Sequence, residues 1–154
     1  MAFKLSVGTD PNQTIKLSGA LDETADMSSK VPQIQTIHLD LAELQSINST
    51  GIRIFKNWVY LLPCKSLILH NCPKVFIDQV NMIAGFIPNH TKIESFFVPF
   101  FNEETNEDIN VLMKRGESYN VVDGEPKYSI PKPSGNFEPD IVESKYFKFL
   151  KQYG

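Results

Sequence analysis

The sequence predicts an α/β domain, a mixed and mostly parallel sheet with packed helices, followed by a small β-rich extension that ends in a helix. Three observations carry this reading. Along the first two-thirds of the chain, period-two apolar runs alternate with runs at helical spacing, the pattern of strands joined by helical crossovers. Two period-two runs open the chain with only a turn between them, which reads as a hairpin. After Val98 the composition shifts to an acidic stretch and short β-favouring runs set apart by turn residues. The order is β-β-α-β-α-β-α-β over residues 1–98, with residues 99–154 as the extension.

The elements follow in order. In "FKLSV", Phe3, Leu5 and Val7 alternate with Lys4 and Ser6; "DPNQ" is a turn; "TIKLSG" alternates again and ends at Gly19. "LDETADMSSKV" reads as a short polar helical crossover capped by Asp22, with Glu23 and Asp26 near its positive end. "TIHLDL" is a strand with Ile37, Leu39 and Leu41 on one face. His38 and Asp40 share the other, which reads as a strand end or a half-covered face. "STGIRIFKNWVYLL" is a helix. Its stripe is Ile52, Phe55, Val59 and Leu62, widened by Ile54, Trp58 and Leu61, with Arg53, Lys56, Asn57 and Tyr60 outside, and Pro63 stops it. "SLILH" is a short strand. "NCPKVFIDQVNMIAG" is a helix with Pro73 at its first position, a Phe76, Val80 and Ile83 stripe, and Gly85 past its end. "TKIESFFVPFF" gives one last strand.

Composition excludes several function classes. With 42% hydrophobic and 21% charged residues among 154, the chain can bury a core. A net charge of −3 argues against a nucleic-acid binder, which needs a concentrated basic face. No apolar run reaches the roughly 20 residues that span a bilayer. The start, "MAFKLSVGTD", lacks the apolar core of a secretion signal, so a cytoplasmic location is expected. Cys64 and Cys72 read as two reduced thiols. His38, His70 and His90 are scattered in sequence, with no Ser-His-Asp set, metal-binding frame or phosphate-cradling glycine loop. No enzyme activity, cofactor or metal is expected.

Over these same residues the chain resembles a STAS domain, the fold of bacterial anti-sigma factor antagonists. "IKLSGALDETAD" is similar to that family's G-x-L-D segment. "IHLDLAELQSINSTGIRIF" is similar to its strand followed by Asp-Ser-Ser-Gly. "LILHNCPKVFIDQVNMIAG" is similar to its next strand and helix, with the N-x-P helix start. The resemblance covers about two-thirds of the chain and implies a STAS-like sheet and a non-enzymatic signalling module. In the family a serine beginning the second helix is phosphorylated by a partner kinase, and the phosphate switches protein partners. By position, Asn48 stands where the family has Asp, Ser49 where it has the acceptor serine, Thr50 where it has the second serine, and Gly51 where it has Gly. The resemblance thus implies a phosphorylation site at Ser49. It also implies a partner-binding surface of Asn48, Ser49, Thr50, Gly51, Arg53, Lys56 and Asn57, to which Asp22 and Asp40 are added. The partner would be an anti-sigma factor or serine kinase, with no nucleic acid and no membrane. The physics of a helix start agrees: unpaired N–H groups and the positive dipole end welcome a phosphate, whose charge of about −2 changes what docks there.

In the extension, acids ahead of Lys114, Arg115 and Gly116 suit a helix, but "INVLM", "ESYNVV" and "KYSI", separated by "KRG" and "DGEP", favour strands, and the β reading is preferred. "DIVESKYFKFLKQYG" reads as a helix over about 140–152, with Asp140 and Glu143 as a capping box. The segment also resembles a zinc ribbon without its metal, with Asn102 and Thr105 at one knuckle and Pro131, Ser134 and Gly135 at the other. None of these is a thiolate or imidazole, so no zinc is expected. The extension's many aromatics are expected to pack on the first domain or on a second copy. Two alternatives stay open: an oligomerising scaffold whose STAS domain no longer switches, and a small-molecule or lipid sensor.

Overall fold

A computed structural model describes all of residues 1–154. The chain builds a five-stranded sheet from β1 (Lys4–Val7), β2 (Ile15–Leu21), β3 (Thr36–Ile47), β4 (Ser66–His70) and β5 (Thr91–Ile93). The strands lie in sequence order; β1 is antiparallel to β2 and the rest are parallel. Two helices, α1 (Ser49–Tyr60) and α2 (Lys74–Met82), make the crossovers after β3 and after β4. Period two places Ile15, Leu17, Leu39, Leu41, Leu67 and Leu69 on the covered face, where Phe55 and Val59 of α1 and Phe76 and Ile77 of α2 complete the core. Phe55 sits at the centre, 5.4 Å from both Phe76 and Phe86 between ring centroids.

The crossover from β2 to β3 is not helical, which corrects the expectation for "LDETADMSSKV". Asp22 accepts from the amide and hydroxyl of Thr24, and Asp26 from the amide of Ser28. Each carboxylate folds its own backbone into a local turn, and that competes with a helix. Asp22 is therefore a turn residue, not a helix cap. Leu61 is also corrected: it terminates α1 and is 83% exposed rather than part of the stripe. Pro73 is the N-cap of α2, one position before the first helical residue.

"TKIESFFVPFF" is two strands. After β5 the chain breaks at Glu94 and enters a second sheet as β6 (Ser95–Asn102), so the boundary drawn after residue 98 falls inside β6. β6 pairs antiparallel with β7 (Glu107–Lys114) and with the short β10 (Glu138–Pro139). Between them β8 (Tyr119–Val122) and β9 (Glu125–Tyr128) form a hairpin. Its turn is Asp123-Gly124, with φ of 53° and 77°, the left-handed pair that a two-residue hairpin loop needs. The strand reading of "INVLM" holds.

The C-terminal helix is broken into α3 (Glu143–Tyr146), a 3₁₀ turn (Phe147–Phe149) and α4 (Leu150–Tyr153). The capping box does not form: Val142 is the N-cap with no side-chain bond, and the Asp140 amide instead donates to the Pro99 carbonyl beside β10. Tyr146, Phe149, Leu150 and Tyr153 lie on one helical stripe, but Phe147 lies off it and is buried as well. Tightening the turn brings Phe147 inward, where it stacks on Tyr128 at 4.1 Å. The aromatics gather on Phe96 of β6, which meets Tyr119, Tyr146, Phe147 and Phe149. One cluster of 29 buried residues joins both sheets.

Candidate functional site

The corner between β3 and α1 is built by Asn48. Its backbone is extended (φ −102°, ψ 179°), and its Oδ1 accepts the Gly51 amide at 2.8 Å. The helix cap is thus the Asn48 amide and neither hydroxyl beside it. The other half of that amide, Nδ2, donates to Glu23 at 2.9 Å. An Asp here would keep the capping oxygen but turn a second oxygen toward the Glu23 carboxylate. The asparagine at this position therefore matches the local charge. Ser49, the first helical residue, is exposed, and Thr50 is half-buried. Gly51 is buried against the end of β2, where a Cβ would overlap the Leu21 carbonyl oxygen, so only glycine lets α1 start this close to the sheet.

From the corner, α1 presents Arg53, Asn57 and Tyr60 to solvent, with Lys56 half-buried and Leu61 at the end. The molecule holds two ion pairs, Lys74–Asp78 and Arg115–Glu94, so the cations of this face stand unneutralised. Arg53 follows Ser49 by four residues, the spacing at which helical side chains meet. Asp22 neighbours the corner, its carboxyl held below the usual carboxylate range by the Thr24 hydroxyl and amide. Asp40 does not join it: it lies eight residues earlier on β3, roughly 26 Å along the strand.

Asp40 belongs to the uncovered face of the sheet, and so do two histidines that look scattered in sequence. The β3–β4 register sets His38 beside Ile68 and Asp40 beside His70. His38 Nδ1 and His70 Nε2 are 2.8 Å apart, so one ring donates an N–H to the other. Burial pushes His70 below the usual imidazole range and His38 adds to this, while Glu94 and Asp40 oppose it. Asp40 accepts from the Ala42 amide and from Asn71 Nδ2. His90 is also partnered, 3.9 Å from Cys64, whose thiol burial pushes up. Sequence reading missed the His38–His70 pair because only strand register joins residues 32 positions apart; the one available signal was that both sit on the polar side of a predicted strand.

The two segments likened to zinc knuckles do meet. Asn102 Oδ1 accepts the amides of Glu104 and Thr105, closing the β6–β7 hairpin, and Asn136 reaches across to Glu104 at 2.9 Å. No group of three or more His, Cys, Asp or Glu is arranged to hold a metal ion anywhere in the chain. No helix is long and apolar enough to cross a membrane. Against protein-family models, curated proteins and solved structures, the chain has no match.

Proposed function

We propose that this protein is a non-enzymatic protein-binding module of the anti-sigma factor antagonist kind, docking through the start and outer face of α1 and tuned by a phosphate at Ser49. The observation that carries the reading is the division of labour at the corner. Asn48 takes the capping task, which leaves the Ser49 hydroxyl exposed at the positive end of the helix beside the unneutralised Arg53. Arg53, Asn57, Tyr60 and Leu61 offer a partner a mixed cationic and apolar face. The STAS-like order of motifs and the in-order sheet with one antiparallel edge support it further. A kinase-like anti-sigma factor suits such a face.

The test is a comparison of binding partners captured by wild type, Ser49→Ala, Ser49→Asp and Leu61→Asp. A partner that distinguishes the two Ser49 variants and is lost with Leu61→Asp supports a charge-tuned α1 surface. Partners that bind all four forms alike refute it. Mass spectrometry after incubation with a captured kinase tests the modification itself, and an unmodified Ser49 removes the switch.

A further inference from the structure

We propose that β7 is a self-complementary edge through which two copies of this chain pair, joining their three-stranded sheets into one of six strands across a two-fold axis. This surface is separate from α1 and does not depend on the reading of Ser49. β7 is the outer strand of the order β10-β6-β7 and, at eight residues, the longest edge in the molecule, open except at the Lys114 carbonyl, which accepts the Glu117 and Ser118 amides; β1 has four residues, β5 three and β10 two. Its register with β6 runs unbroken from Asn102↔Glu107 to Ser95↔Lys114, with no bulge and no proline in β7.

The direction of its backbone groups follows from one bond. The Arg115 amide donates to Glu94 on the β6 side. Antiparallel pairing alternates, so residues 113, 111, 109 and 107 also turn toward β6, while Asp108, Asn110, Leu112 and Lys114 turn their amides outward. Proteins usually blunt such an edge with charge. Here the charges are sorted by sign: Glu107 and Asp108 begin the strand, Lys114 ends it and Arg115 follows.

Sorting makes the edge attract itself. A two-fold axis normal to the sheet pairs the strands antiparallel and keeps each face with its like, so facing residues share parity. With the axis at Val111, Asp108 faces Lys114 of the second copy, Glu107 faces Arg115, Ile109 faces Met113, and Asn110 faces Leu112. The outward amides of 110 and 112 then meet each other's carbonyls. A shift of the axis to Asn110 sets Asp108 against Leu112; a shift to Leu112 sets it against Gly116. Only the Val111 register matches the charges. Asp108 and Lys114 are exposed and carry no ion pair within the chain, whereas Arg115 is already held by Glu94 at 3.3 Å, so the Asp108–Lys114 contact is the main one.

Sedimentation equilibrium of the full chain and of two charge reversals tests this. Wild type is expected to show a monomer–dimer equilibrium that weakens with added salt. Asp108→Lys sets Lys against Lys, and Lys114→Glu sets Asp against Glu; each is expected to shift the equilibrium about tenfold or more toward monomer. Mixed together, the two variants restore both contacts and are expected to form a heterodimer. Both sites are exposed, so each variant is expected to fold, and circular dichroism is the check. A wild type that stays monomeric at its highest soluble concentration overturns the proposal. So does a dimer that both reversals leave intact, or a mixture that fails to associate.

Discussion

Asn48 shows how much a single side chain decides at this corner, because its two polar atoms face opposite demands. The oxygen caps α1 and the nitrogen holds Glu23. Asn48→Ala loses both and is expected to cost about 1 kcal/mol of unfolding free energy. Asn48→Asp keeps the cap but meets Glu23 with like charge; adding Glu23→Gln is expected to recover its loss, and urea titrations of the single and double variants give the coupling. The His38–His70 pair yields a second expectation. His70 is held below its ordinary value of 6.5, chiefly by burial, so the unfolded chain binds its proton more readily than the native one. Above 6.5 both states are neutral there and nothing is lost. As pH falls from 6.5 through the lower native value, stability declines. The urea midpoint of wild type is expected to drop across that window, and that of His70→Gln to drop less; equal slopes would remove His70 as the source. Neither arrangement is written locally. Glu23 lies 25 residues before Asn48, and His38 and His70 meet only through the pairing of β3 with β4.

At the scale of elements, α1 was readable, the helix predicted around Asp22 was not, and the one predicted over about 140–152 forms as a helical run from Glu143 to Tyr153 with a 3₁₀ turn inside it. The α1 stripe of Phe55, Val59 and Leu62 is strong, and Asn48, Gly51 and Pro63 bound it. Its first turn contains no acidic residue, so within α1 itself no charge meets the dipole, and Glu23 reaches only the capping Asn48. Ser49→Asp is therefore expected to stabilise the fold by about 0.3–1 kcal/mol in low salt, with the gain shrinking in Arg53→Ala and at high salt. Thermal melts of the four combinations measure it, and a destabilised Ser49→Asp would argue against a corner that accepts negative charge. The helix expected around Asp22 lost to Asp-x-Thr and Asp-x-Ser turns, whose bonds are shorter in range than any helical one. The second was interrupted because Phe147 had to be buried off the stripe of its neighbours. In the first a competing contact outweighed a pattern compatible with a helix; in the second it tightened one turn and left the helix in place.

For the whole molecule, Phe96 ties the parts together. It is fully buried on β6, the strand that leaves the first sheet and starts the second, and four aromatics of the extension surround it. Phe96→Ala is expected to cost about 3–5 kcal/mol and to lower the melting of both sheets in one transition, followed by fluorescence of Trp58 in the first and near-ultraviolet signals of the extension's tyrosines. Two separate transitions would mean that the shared core does not couple them.

Legible in the order of residues were the α/β class, the hairpin start, the helical crossovers after β3 and β4, the β character of the extension and the place of the Asn48–Gly51 corner. These depend on periodicity and on turn and cap chemistry, which act over a few residues. It took the folded chain to reveal that the path switches sheets at Glu94, that Asp40 lies on the open face beside two paired histidines, that Asn48 is matched to Glu23, and that β7 ends the second sheet. Those outcomes depend on strand register and on what remains to be buried once the core closes, and both are set by residues far apart in the chain.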